Sequence, residues 1–307
     1  MRMGEPLLRG IAGVVQTPFD SGGRLDEASL QRLVGSAVES GANGFLAPAV
    51  ASEVGALTAA ERERILEIVL AGAAGRIPVL AGASSADWME CVRHGRAAAA
   101  QGASAYLVAV PGEIYGAPER AVEWFANIAA RVDLPLIVQD LEWNGGGLPV
   151  ALIAEMAEKI PTLAGVKIET VPAGPKYTQV REAVGRGFFI AGGWAVPQMI
   201  EALDRGVDAL MPECSMIPVY ARIYRLYGSG ERAAALALFR RLLPVLAYSN
   251  QELRTSIAFF KRLLVRKGIF KTGAMRGQPF MWDAHNERIA EELIDLYLDL
   301  ERGAARS

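Results

Sequence analysis

The chain is predicted to fold as a (β/α)₈ TIM barrel with a helical extension at its C-terminal end. Three observations carry this prediction. Eight short apolar runs succeed one another, and their starts lie 20 to 34 residues apart, the length of a βα unit. The runs are almost continuously apolar, as parallel strands covered by helices are. A weak repeat links several of them: Gly41-Ala42-Asn43-Gly44, Gly102-Ala103-Ser104-Ala105 and Gly206-Val207-Asp208-Ala209 each place a glycine two or three residues before a run. Glycine there supplies the left-handed conformation that ends a helix. Eight such units argue for closure into a barrel over an open sheet. No G-x-G-x-x-G follows the first run, so nothing favours a dinucleotide fold.

In order, the runs are 11–19, 44–49, 78–83, 105–110, 135–140, 163–168, 188–193 and 208–213. Barrel enzymes carry their chemistry at the C-terminal ends of the strands, and five ends here are unusually polar. Thr17 lies near the end of the first run, and Ser52 and Glu53 follow the second. Gln139 and Asp140 end the fifth, Lys167 the sixth, and Gly193-Trp194 the seventh. After residue 213 the strand signal stops. A barrel over 1–218 and a three-helix extension over 219–307, packed on the barrel or forming a subunit contact, are the expected domains.

Composition narrows the function. The chain has 307 residues, 51% hydrophobic and 21% charged, with a formal net charge of −2. That balance leaves no electrostatic footprint for nucleic acid or an anionic membrane. Two cysteines, Cys91 and Cys214, make no disulfide framework, so a reduced, cytoplasmic protein is expected. Residues 1–10 hold no long apolar stretch, which argues against a signal peptide. The two histidines, His94 and His285, stand apart and fit no metal-ligand spacing. No metal and no other cofactor is expected.

Lys167 is the most informative residue. It lies in Leu163-Ala164-Gly165-Val166-Lys167-Ile168, which reads as a buried strand. Lysine is rarely buried unless something pairs with it or uses it. A neutral amine on such a strand attacks a ketone to give a Schiff base. The plainer alternative is a lysine that snorkels or pairs with Glu169. Alternation along the strand turns Val166 and Ile168 to the helices and Lys167 into the barrel. Gln139 likewise lies opposite Val138 and Asp140.

These residues carry a resemblance. Thr17-Pro18-Phe19, the Ser52-Glu53 turn with Leu57-Thr58 and Glu61-Arg62, and Gly165-Val166-Lys167 resemble, in order and spacing, the dihydrodipicolinate synthase / N-acetylneuraminate lyase family. The likeness covers essentially the whole chain. It implies that Lys167 forms a Schiff base with pyruvate or another 2-oxo acid. It also implies that residues 49–53, through backbone N–H groups around Ala51 and the Ser52 hydroxyl, hold the substrate carboxylate, as a backbone nest does. A homo-oligomer, tetramer or dimer, is implied as well.

The departures are specific. Gly-Thr-Thr-Gly-Glu of the second loop is Ala49-Val50-Ala51-Ser52-Glu53 here. The family's catalytic tyrosine aligns with Gln139, which cannot relay protons as a phenol does. The arginine of the synthases falls near Asn144, so the fork for a dicarboxylic partner is lost. Val138-Gln139-Asp140, Lys167-Ile168-Glu169-Thr170 and Gly193-Trp194 look like the L-2-keto-3-deoxyarabonate dehydratase subgroup. That implies loss of water from a 2-keto-3-deoxy sugar acid. Glu53 and the lysine amine are the candidate C3 bases, and Glu53 orienting its own loop is the alternative. Gln139 would orient a water or the C4 hydroxyl. Thr17, Ala51, Ser52, Asp140, Gly193, Trp194 and Tyr115 are the expected substrate-binding residues, Tyr115 being a spare phenol near the mouth. A pyruvate-dependent aldolase and a non-catalytic barrel that binds a 2-oxo acid are the competing readings.

Overall fold

The computed structural model describes residues 7–194, 196–278 and 280–305. The leader expectation for residues 1–10 therefore falls mostly outside the described residues.

Eight parallel strands close into a barrel in sequence order: β1 (Gly10–Val14), β2 (Gly44–Ala47), β3 (Val79–Gly82), β4 (Ala105–Ala109), β5 (Leu136–Leu141), β6 (Leu163–Glu169), β7 (Phe189–Gly192) and β8 (Ala209–Leu210). Each strand lies within one of the eight apolar runs or overshoots its end by one residue. β8 keeps only two residues of ladder. The last run turns instead into the short 3₁₀ helix Cys214–Met216. Gly41, Gly102 and Gly206 all adopt positive φ, at +94°, +85° and +71°, as the repeat predicts.

Period-two alternation divides the buried side chains into two layers. Ala12, Val14, Leu46, Leu80, Leu107, Ile137, Ala191 and Met211 pack with one another inside the barrel. Ile11, Phe45, Val79, Tyr106, Val138, Val166, Ile168 and Leu210 pack outward against the helices. Gln139 is two residues beyond Ile137, and Lys167 is its register partner across β5 and β6. Both therefore face inward, with no special local geometry required.

Side-chain caps fix several of the helix starts. Asp26, Thr58 and Asp87 accept from the N–H groups of Ser29, Glu61 and Met89, supplying acceptors that a helix N-terminus lacks. Four long helices follow β8: Ile217–Gly228, Arg232–Ser249, Leu253–Arg266 and Ala284–Ala305. The first packs on β1 and is the covering helix of the eighth βα unit. Three remain beyond it. The boundary drawn at 218 thus falls in the first turn of that covering helix, because the end of strand signal marks the last strand and not the last unit. Among the described residues no helix is long and apolar enough to cross a membrane.

Candidate active site

The site lies in a pocket at the C-terminal mouth of the barrel. Its floor and walls come from strand ends: Val14, Gln139, Leu141, Lys167, Glu169 and Met211. Helix Leu253–Arg266 closes one side with Leu253, Ser256, Ile257 and Phe260. Trp143 and Trp194 meet edge to face at 4.1 Å between ring centroids at the rim.

Lys167 is 3% exposed. Its Nζ lies 2.9 Å from Glu169 Oε1, and both side chains are 4% exposed. The Glu169 carboxylate is held from two further directions. Gln139 Nε2 donates to Oε2 at 2.5 Å, and the Trp194 N–H donates to Oε1 at 2.6 Å. Trp194 reaches that position through a left-handed backbone, φ 54°, and its carbonyl accepts from Asn250 Nδ2 at 3.3 Å. Gly193 makes room for the arrangement. A Cβ there would stand 2.0 Å from Glu169 Oε1 and 2.5 Å from Lys167 Cε. Gln139 Oε1 is buried with no partner among the described residues.

The second loop forms a 3₁₀ turn, Val50–Ser52, and Ala49, Val50 and Ala51 line the pocket. The leading N–H groups of such a turn have no acceptor within it. Ser52 and Thr17 instead tie the loop to β1. Ser52 Oγ donates to the Val15 carbonyl at 2.5 Å and accepts from the Ala49 N–H at 2.9 Å. Thr17 Oγ1 donates to the Ser52 carbonyl at 2.7 Å. Neither hydroxyl lines the pocket.

Three further expected site residues sit elsewhere. Glu53 takes a left-handed φ of 59° and turns away from the mouth. Its carboxylate pairs with Lys261, which is 1% exposed, and accepts from the Arg276 N–H at 2.9 Å. Burial presses the Lys261 ammonium downward in pKa and Glu53 opposes it. Asp140 is fully buried on the helix side of β5, the side opposite Gln139. It pairs with Lys176 at 2.5 Å and accepts from the Leu148 N–H at 3.0 Å. The Tyr115 hydroxyl donates to the same carboxylate at 3.0 Å. Burial, then the Asp140 charge, pushes that phenol well above its usual range. No spare phenol reaches the pocket, and no tyrosine lines it among the described residues. His94 is packed in helix Trp88–Gln101, where burial and two arginines hold its pKa down at about 4.

The placement of Glu53 makes a prediction. Glu53→Gln leaves a buried ammonium unpaired, which costs about 3–5 kcal/mol. Urea denaturation is expected to show that loss, while the folded protein still forms an adduct at Lys167. Unchanged stability with lost adduct formation would return Glu53 to the chemistry.

Sequence reasoning missed other pocket residues. Glu169 entered only as a neutralising partner for Lys167, although a residue two beyond it must share its face. Gln16 and Glu213 line the pocket too. Gln16 Nε2 donates to Glu213 Oε2 at 2.8 Å, and Gln16 Oε1 accepts from the Cys214 N–H at 3.2 Å. Burial pushes the Glu213 carboxyl upward in pKa, against the lowering effect of hydrogen bonds from Ser215 and Gln16.

Comparison with known proteins agrees with this architecture. The chain is 29% identical over 269 residues to L-2-keto-3-deoxyarabonate dehydratase of Azospirillum brasilense, covering 86% of this chain and 85% of that one. It is 27% identical over 238 residues to 4-hydroxy-tetrahydrodipicolinate synthase of Methylococcus capsulatus, covering 77% and 81%. The 4-hydroxy-tetrahydrodipicolinate synthase of Methylacidiphilum fumariolicum SolV shares the fold, with TM-score 0.86 at 20% identity over 97% of this chain and 98% of that one. The dihydrodipicolinate synthase of Rhodopseudomonas palustris does so with TM-score 0.84 at 21% identity, over 94% and 97%. The sequence profile of the dihydrodipicolinate synthetase family matches residues 7–290, and the chain belongs to that family.

Proposed function

We propose that the protein is a Schiff-base lyase that removes water from a 2-keto-3-deoxy sugar acid. One observation carries the reading: a buried lysine is paired with a carboxylate that a glutamine holds, in a pocket with no phenol among its described lining residues.

The residues divide the work. Lys167 attacks C2 of the 2-oxo acid once its proton has passed to Glu169, 2.9 Å away. Glu169 returns that proton to the former carbonyl oxygen, which leaves as water; a protonated imine and a free Glu169 carboxylate remain. That cation draws electrons from C3 and makes the C3 proton acidic. Glu169 then takes this proton as general base, with Gln139 and the Trp194 N–H holding its carboxylate in place. The imine nitrogen next returns its electrons, and the bond from C4 to its hydroxyl breaks. The substrate carboxylate rests against the leading N–H groups of Val50 and Ala51. The orphan Gln139 Oε1 accepts from a substrate hydroxyl. Lys167 is the only cationic side chain among the described lining residues, so nothing there receives a second carboxylate. Trp194, Leu253, Ile257 and Phe260 keep bulk water from the imine. As in the implied family, a homo-oligomer is the proposed assembly.

Aldol cleavage through the same imine needs a relay at the C4 hydroxyl, a contribution of roughly 10²–10⁴-fold that the family's phenol supplies. The expected result with 2-keto-3-deoxy sugar acids is therefore consumption of substrate with no release of pyruvate. A lactate dehydrogenase-coupled assay stays flat while the keto-deoxy acid disappears. Stoichiometric pyruvate would replace the dehydratase by an aldolase.

A further inference from the structure

Elimination needs an acid as well as a base, because hydroxide is a poor leaving group. Only three described lining residues titrate: Lys167, Glu169 and Glu213. The first becomes the imine, and the second takes the C3 proton. Resting on the dehydratase reading above, we propose that Glu213 is the catalytic acid that protonates the departing C4 hydroxyl.

The geometry supports this from three sides. A bridge pairs Glu213 with Val14, whose side chain packs inside the barrel. Glu213 shares that inward face, is 4% exposed and lines the pocket. Its hydrogen bonds are also one-sided. Oε2 accepts from Gln16 Nε2 at 2.8 Å, from the Ser215 N–H at 2.5 Å and from Ser215 Oγ. Oε1 is buried and has no partner among the described residues. A proton on the carboxyl therefore belongs on Oε1, where it is free to be donated. Gln16 is held in the donating orientation by the Cys214 N–H on its carbonyl end. Finally, no cation forms a salt bridge with Glu213 among the described residues. Lys267 is committed to the Ser215 carbonyl and to Glu301, each at 2.9 Å. Burial favours the neutral acid, and it raises the pKa of this carboxyl despite the opposing Ser215 and Gln16 hydrogen bonds and the Lys267 charge. Two carboxyl groups in one pocket thus stand in different surroundings, one in a salt bridge with Lys167 and one without an ion-pair partner among the described residues.

The step balances. Glu169 removes the C3 proton to give the enamine. The nitrogen lone pair re-forms the C2–N double bond, the C2–C3 double bond becomes C3–C4, and the C4–O bond breaks. The leaving oxygen takes the proton from Glu213 Oε1 and departs as water. Addition of water to C2 frees Lys167. Glu169 then gives a proton to solvent, and the Glu213 carboxylate recovers one.

Glu213→Gln tests the proposal, because an amide keeps the shape and the hydrogen bonds but has no acidic proton to give. The expected result is a kcat roughly 10²–10⁴-fold lower, with KM and borohydride trapping at Lys167 little changed. In D₂O, exchange at C3 of the bound keto-deoxy acid continues, since it precedes the lost step. A 4-fluoro analogue, whose fluoride needs less help to leave, should lose much less rate than the natural 4-hydroxy acid. Dehydration at the wild-type rate in Glu213→Gln overturns this proposal alone. So does loss of C3 exchange together with dehydration, which would mean a merely structural role. A wild-type protein that releases pyruvate instead of water overturns both this step and the reading it rests on.

Discussion

Lys167→Ala is expected to abolish turnover and to leave no site at which borohydride fixes a 2-oxo acid to the protein. The effect is larger than that of any other single change, because the variant has no nucleophile for C2. No other amine lines the pocket among the described residues. The substitution also strands Glu169, which is 4% exposed, and removing one partner of a buried pair costs about 3–5 kcal/mol. Loss of activity in the alanine variant alone would therefore confound folding with chemistry. Lys167→Arg separates them. The guanidinium can keep the pair with Glu169, yet it stays protonated and does not form an imine. The arginine variant should unfold closer to the wild-type midpoint and still give no adduct by mass measurement after borohydride with pyruvate. An adduct on either variant, or turnover by either, would end the Schiff-base mechanism.

The parts of this site that alternation controls were legible in the sequence. Lys167 and Gln139 face inward because their neighbours Val166, Ile168 and Val138 face the helices. That is a statement about period two and needs no tertiary information. The eight strands were legible for a different reason, as near-continuous apolar runs at the spacing of βα units, and their closure followed from their number. Asp140 shows the rule being set aside. Alternation already turned it away from the mouth, and its polarity at a strand end drew it into the expected site. It is instead the anchor for Lys176, Tyr115 and the N–H of Leu148. Glu53 was misplaced for another reason. Its partner Lys261 lies 208 residues away on an extension helix, and nothing local shows that a turn will point outward to meet it. The same limit hid Leu253, Ser256, Ile257 and Phe260, since the pattern of an amphipathic helix reveals a buried face but not which barrel end it covers. Glu213 could have been found. It ends the eighth run as Lys167 ends the sixth, with a charged group closing an apolar strand.

Glu169→Gln is expected to lower kcat by roughly 10²–10⁴-fold, the usual contribution of a positioned base. Three groups converge on this carboxylate: the Lys167 ammonium at 2.9 Å, the Gln139 amide at 2.5 Å and the Trp194 N–H at 2.6 Å. All three are donors, so the site is built for an acceptor with two charged oxygens. A glutamine must turn its own NH₂ toward one of those donors, and it cannot take a proton from C3. Imine formation is expected to slow too, because the lysine loses the neighbour that receives its proton. Adduct formation should still be reached on longer incubation. The decisive measurement is C3 exchange in D₂O, followed by NMR on pyruvate or a keto-deoxy acid. It should vanish in Glu169→Gln and persist in Glu213→Gln, because the two carboxyl groups act on different atoms at successive steps. Exchange at the wild-type rate in Glu169→Gln would take the base away from Glu169. The imine nitrogen of Lys167 cannot serve while protonated, so the proton would then leave through a water held by Gln139 Oε1, a pocket-residue acceptor with no partner among the described residues.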